Sequence, residues 1–151
     1  MSEFKLTSPE FSNGENIPRK YGYTKENINP PLKISGVPDD TESLALVIDD
    51  PDAMEPAGKI WDHWVIWNIP PEIKIIKEDY TPKEAVEGKN DYKKLGYGGP
   101  NPPDKEHTYV FKLYALDTEL NLKKGATKDD LEEAMKDHII AKAKLTGTYA
   151  P

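Results

Sequence analysis

Short apolar runs separated by proline and glycine set the pattern of this chain. Leu44-Ala45-Leu46-Val47-Ile48 leads without a break into Asp49-Asp50 and predicts a buried strand over Leu44 to Asp49. His63 to Asn68 and Thr108 to Leu116 are equally rich in Val, Ile, Trp, Tyr and Phe and predict two more, with a weaker strand near Lys33 to Ser35. Fourteen prolines and ten glycines between these runs mark a chain that turns often, so the expected fold class is mostly β.

One helix stands out. Thr127 is placed to cap it, Asp129 and Asp130 suit its positive end, and Leu131, Ala134, Met135, His138 and Ile139 recur at helical spacing. The pattern predicts a C-terminal helix near 128–144, with Lys142 and Lys144 in its last turn and Gly147 at or just past its end. Between Pro70 and Lys94 the chain is charged, with Lys83 to Glu87 as a helical turn and Gly88 to Asp91 as a tight turn.

Composition narrows the classes. A chain of 151 residues can fold as a single domain spanning 1–151 that buries roughly 70% of its unfolded surface. A net charge of −7 gives no general electrostatic support to nucleic-acid or anionic-membrane binding. The absence of cysteine excludes disulfides, thiol catalysis and thiolate zinc sites. Met1-Ser2-Glu3-Phe4-Lys5 lacks the apolar stretch of a signal peptide, and no run approaches the ~20 apolar residues of a membrane span. The expectation is a cytoplasmic protein with no integral membrane association.

Candidate chemistry gathers at strand ends. Asp50-Pro51-Asp52 ends the buried strand in two carboxylates held by a proline; as a turn, it needs no function. With Asp49 it makes three neighbouring acids, which repel unless compensated, and His63 and His107 are the compensation available at strand beginnings. Strand parity places His107, Tyr109, Phe111 and Leu113 on one face, and puts Trp61 with His63 on one side and Trp64 with Ile66 on the other. Gly98-Gly99-Pro100 is either a stiffened loop or a set of backbone N–H groups able to hold an anion, without the lysine and helix of a nucleotide-binding loop.

Taken in order, Ile28 to Leu32, Ser43 to Ala53, Trp61 to Pro70, Tyr97 to Pro100, His107 to Asp117 and Ala143 to Tyr149 resemble the phosphatidylethanolamine-binding proteins, in particular the small bacterial and archaeal branch related to Raf kinase inhibitor protein. The resemblance implies two antiparallel sheets with a few peripheral helices and an anion pocket at one end. By position it carries the pocket onto Asp50, Asp52, Trp61, His63, Gly99, Pro100, His107 and Tyr109. It implies binding of phosphate, phospholipid headgroups or a phosphorylated partner, modulation of a kinase or protease in some members, a homodimer in bacterial relatives, and no catalytic reaction, metal or cofactor. Three departures stand out: Met54-Glu55 before Pro56, Thr108 where an Arg is common, and a short loop Asn101 to Glu106.

The leading reading is a non-enzymatic anion pocket in which His63 and His107 donate to phosphate oxygens, N–H groups near Gly99 assist, and Asp50 and Asp52 orient the histidines. One alternative uses the same two His and two Asp as the ligands of a metal-dependent hydrolase. Another makes the chain an interaction protein acting through the loops Met54 to Lys59 and Asn101 to Glu106.

Overall fold

The computed structural model describes residues 3–151. Its strands are β1 (Lys5–Thr7), β2 (Leu32–Ser35), β3 (Ser43–Asp50), β4 (Trp61–Ile69), β5 (Ile75–Ile76), β6 (Val86–Glu87), β7 (His107–Leu116) and β8 (Ile139–Tyr149), and its helices are α1 (Met54–Ala57) and α2 (Lys128–Met135). All pairings between these strands are antiparallel, giving a three-stranded sheet in the order β1-β2-β5 and a five-stranded sheet in the order β6-β4-β3-β7-β8.

The unbroken apolar run of β3 follows from its position. It lies between β4 and β7, and both of its faces are covered. Leu44, Leu46 and Ile48 pack with Leu32, Ile34 and Ile76 of the smaller sheet, together with Trp64, Ile66 and Phe111. Ala45 and Val47 face the other way, onto Val65, Trp67, Leu131 and Met135, where α2 covers the larger sheet. Among the described residues no helix is long and apolar enough to cross a membrane.

Two expectations need correction. The C-terminal helix does not reach 144: it ends at Met135, Asp137 takes a left-handed conformation (φ 68°), and the chain becomes β8. The start was read correctly, since the Thr127 hydroxyl accepts from the Asp130 N–H while the Asp130 carboxylate accepts from the Thr127 N–H. Beyond Asp137, however, Ile139-Ile140 is β-branched and Ala141-Lys142-Ala143-Lys144 alternates with the period of a strand. β7 offers a free ladder edge that β8 fills from Tyr149 opposite His107 to Ile139 opposite Leu116. The second correction concerns Lys83 to Glu87. It forms no helical turn; its end is β6, paired with Ile66 and Trp67 at the edge of β4.

Candidate functional site

A cavity of about 200 Å³ opens where β3, β4 and β7 end together. Asp50 and Ala53 line it from the end of β3 and the turn beyond, Pro56 and Ala57 from α1, and Trp61 and His63 from β4. His107 and Tyr109 enter from the first turn of the β7 pleat, and Tyr92, Asn101, Pro102 and Pro103 close it from loops. Five residues anticipated from sequence therefore share one cavity: Asp50, Trp61, His63, His107 and Tyr109. The parity expected for His107, Tyr109, Phe111 and Leu113 is present, all four being buried while Thr108, Val110 and Lys112 are only partly covered.

Asp50 is the hinge of the site. One carboxylate oxygen accepts from the Asp52 N–H (2.9 Å), closing a 3₁₀ turn whose first residue is Pro51, and the other accepts from His107 Nδ1 at 2.6 Å. Burial pushes the Asp50 carboxyl above the usual carboxylate range, against the pull of His107. Asp52 turns away from the cavity and accepts from the Thr108 N–H at 2.8 Å. Together the two aspartates clamp the turn to the first two residues of β7, but only Asp50 orients a histidine.

His107 holds carboxylates on both ring nitrogens: Asp50 on Nδ1, and Asp104, at 2.7 Å, on Nε2. Burial opposes its charge, but these hydrogen bonds outweigh burial and raise its pKa, so the ring is an imidazolium donating twice. In this structure neither N–H of His107 is free, so an anion could take one only by displacing a carboxylate.

His63 is set differently. Ile48 pairs with Trp64 and Asp49 with Asp62, so His63 is the extra residue of a β-bulge. The bulge overturns the simple alternation. His63 meets Tyr109 edge-on, with ring centroids 5.1 Å apart, and its neighbour Trp64 packs into the same inter-sheet core instead of the opposite face. His63 Nδ1 donates to the Gly98 carbonyl at 2.7 Å, while the Gly98 N–H returns a bond to the His63 carbonyl at 2.8 Å. A carbonyl only accepts, so the proton is on Nδ1 and Nε2 carries a lone pair. Burial lowers the His63 pKa to about 4 and keeps the ring neutral. In this state His63 is an acceptor toward the cavity, not the anticipated donor.

The glycine loop supports the site without lining it. The Gly99 N–H is engaged by Asn27 Oδ1 (2.7 Å), its carbonyl accepts from the Tyr92 hydroxyl (2.8 Å), and the Pro100 carbonyl accepts from the Tyr23 N–H (2.9 Å). No N–H of Gly98 or Gly99 is therefore left for an anion. Gly99 must be glycine for a packing reason: a Cβ would lie 2.1 Å from the Tyr21 carbonyl oxygen.

Asp49 takes no part in the cavity. Period-two geometry sends it to the opposite face, where Lys112 (2.9 Å) and Lys128 (3.3 Å) reach it, and Lys128 also pairs with Asp62 at 2.9 Å. Lysines from β7 and α2, not the histidines, compensate this acid. Among the described residues no three His, Asp or Glu side chains converge as a metal-ligand group.

Two donors of the cavity lining lack a well-formed partner among the described residues. The buried Trp61 Nε1–H and Tyr109 hydroxyl both line the cavity, and the groups beside the Tyr109 hydroxyl are the Asp50 carboxylate and the Asn101 backbone. Burial, then the Asp50 charge, pushes the Tyr109 pKa up, so its hydroxyl keeps its proton. Tyr92 completes the wall, stacked on Tyr23 at 3.9 Å and edge-on to Trp61 at 5.6 Å. Sequence reasoning missed Tyr92 and Asp104. The first had no local signal; the second is an acid three residues before a histidine in a proline-rich loop.

The sequence description of the phosphatidylethanolamine-binding proteins matches residues 7–150. The chain belongs to the phosphatidylethanolamine-binding protein family. A UPF0098 protein of Methanothermobacter thermautotrophicus is 47% identical over 149 residues, spanning 95% of this chain and 97% of its own length. A solved phosphatidylethanolamine-binding protein homolog from Chlamydia trachomatis is similar in structure with a TM-score of 0.91 at 42% identity, covering 97% of this chain and 96% of its own. Escherichia coli YbcL, described as a member of the mammalian PEBP family, gives 0.90 at 34% identity, with 98% of each chain covered. The two sheets with peripheral helices are thus the phosphatidylethanolamine-binding protein fold, and the cavity lies at the strand ends of its larger sheet.

Proposed function

We propose that this protein binds a small oxyanion of the phosphate type, free or as a phosphorylated group, in the cavity between Asp50, Trp61, His63, His107 and Tyr109, without catalysing a reaction on it. The observation that carries the reading is the pair of buried donors, Trp61 Nε1–H and Tyr109 O–H, which line the cavity without a well-formed hydrogen bond to the protein. Leaving such groups unpaired costs free energy that a ligand oxygen would recover. A monoprotonated phosphate fits the remaining chemistry: it accepts from these donors and offers its own O–H to the His63 Nε2 lone pair.

The non-catalytic part of the reading rests on the lining, which among the described residues contains no Ser, Thr, Cys or Lys nucleophile. A headgroup of a phospholipid, or a phosphorylated kinase or protease, would present the same terminal phosphate. Titration calorimetry with inorganic phosphate, phosphoethanolamine and phosphoserine separates these sources. Trp61→Phe and Tyr109→Phe are each expected to weaken the preferred ligand about five- to tenfold. Affinity for phosphoethanolamine and phosphoserine is expected to fall from pH 6 to pH 8, because a phosphomonoester has its second pKa at about 6 and above it loses the one O–H that His63 accepts from. Unchanged affinity in both variants, or tighter binding at pH 8, overturns the reading.

A further inference from the structure

His107 is the only cationic side chain lining the cavity among the described residues, and Asp104 shares its Nε2 with no other group. Asp104 lies on the loop 101–106, whose first three residues form one wall of the cavity. The next residue, Lys105, pairs at 3.0 Å with Glu55 of α1, whose Pro56 and Ala57 also line the cavity. Two consecutive residues therefore tie the loop to β7 and to α1. Pro102 anchors the loop in the interior, whereas residues 103–106 are exposed, so Asp104 can leave without disturbing the core.

The two carboxylates on His107 are not equivalent. The Asp50 side chain is 4% exposed and also holds the Asp52 N–H, whereas the Asp104 side chain is 33% exposed. A half-solvated ion pair is the weaker and the more easily exchanged. Orientation of the ring does not require Asp104, since the Asp50 bond already holds Nδ1 and the ring lies beside Tyr109. With both acids in place, one imidazolium carries two carboxylates, and the positive charge of the cavity is more than cancelled.

We propose that Asp104 is a built-in competitor of the ligand: its carboxylate occupies Nε2 of His107 in the free protein, and a phosphate-type oxyanion takes that position and releases residues 103–106 of the loop. The proposal rests on the anion reading of the cavity. It assigns the short loop a role in the affinity of the site and a movement that accompanies binding.

Calorimetry with inorganic phosphate at pH 6 on the wild type, Asp104→Ala and Asp104→Asn tests the exchange. Asp104→Ala is expected to bind about two- to fivefold more tightly than the wild type, the range of an exposed ion pair. Asp104→Asn should gain less, because its amide oxygen still accepts from Nε2. In the wild type, phosphate is expected to speed amide hydrogen exchange at Asp104, Lys105 and Glu106 by NMR, whereas a loop that merely packs on the ligand would be protected. Wild-type binding with unchanged or weaker affinity in Asp104→Ala, or with slowed exchange at those amides, overturns the competitor and leaves the cavity reading intact. Phosphate binding by none of the three proteins overturns both.

Discussion

His63 and Gly98 hold each other by two hydrogen bonds, His63 Nδ1 to the Gly98 carbonyl at 2.7 Å and the Gly98 N–H to the His63 carbonyl at 2.8 Å. The pair ties the β4 bulge to a loop 35 residues away and fixes the tautomer of the histidine. It depends on the absence of a side chain at Gly98, where a Cβ would fall 2.4 Å from Tyr92 Cδ2. Tyr92 cannot easily move, being stacked on Tyr23 and bonded to the Gly99 carbonyl. Gly98→Ala is therefore expected to cost about 1–3 kcal/mol of stability, the usual range for overpacking. Urea unfolding measures this, and a midpoint equal to the wild type's would contradict the packing argument.

The neutrality of His63 has a pH signature. Its pKa is about 4 in the folded chain against 6.5 for the free side chain, so between these values the unfolded state binds more protons. Stability attributable to keeping His63 neutral is thus complete above pH 6.5 and is lost as pH falls toward 4, by about 2–3 kcal/mol. His107, whose pKa is raised, binds more protons folded than unfolded near pH 6.5, which opposes the His63 slope there; that contribution fades toward pH 4 and is common to the wild type and a His63 variant. His63→Asn places an amide donor near the Gly98 carbonyl but has nothing to titrate. Its unfolding free energy should fall less steeply from pH 6.5 to 4 than the wild type's; parallel curves would show that His63 does not titrate on unfolding.

The charged cluster behind the cavity makes a separate prediction. Lys128 opens α2 and is almost fully buried, holding Asp49 and Asp62 from the two central strands. Lys128→Met leaves Asp62 without its cation and Asp49 with Lys112 alone. The expected loss is about 3 kcal/mol, since removing one member of a buried pair strands the other's charge. Asp62→Asn in the Lys128→Met background should recover a large part of this loss, because the stranded charge is gone. A double variant as unstable as the single one, in chemical denaturation, would show that the cost is lost packing and not electrostatics.

The sequence foretold β3, β4 and β7 because each is long and rich in β-branched and aromatic residues. β1, β5 and β6 span three residues or fewer and become strands only by pairing with neighbours that no local pattern identifies. β8 was hidden by a coincidence. His138 and Ile139 continue the helical spacing of α2 past its end, and the Ala-Lys alternation that follows is mild enough to read either way. At the site, Asp50, Trp61, His63, His107 and Tyr109 were legible because they sit at strand ends that pairing brings together. Their partners were not. The bulge at His63 redirects it to Gly98, and Tyr92 reaches the cavity, and Asp104 reaches His107, on loops whose paths depend on contacts such as the Tyr23 stack.

The part of α2 that was read correctly can itself be tested. Thr127 and Asp130 form a reciprocal cap, with the Thr127 Oγ1 accepting from the Asp130 N–H at 3.3 Å and Asp130 Oδ2 accepting from the Thr127 N–H at 3.0 Å. The helix is only eight residues long, so capping is a large share of its local stability. Its docking on the sheet otherwise relies on Leu131, Met135 and the Lys128 ion pairs. Thr127→Ala is expected to lower global stability by about 1 kcal/mol and to raise amide exchange in the first turn of α2, at Asp129 and Asp130, before the rest of the chain. Thr127→Ser, which keeps the accepting oxygen, should restore both. Equal stability of the Ala and Ser variants would mean that packing of Leu131 and Met135 alone sets the helix.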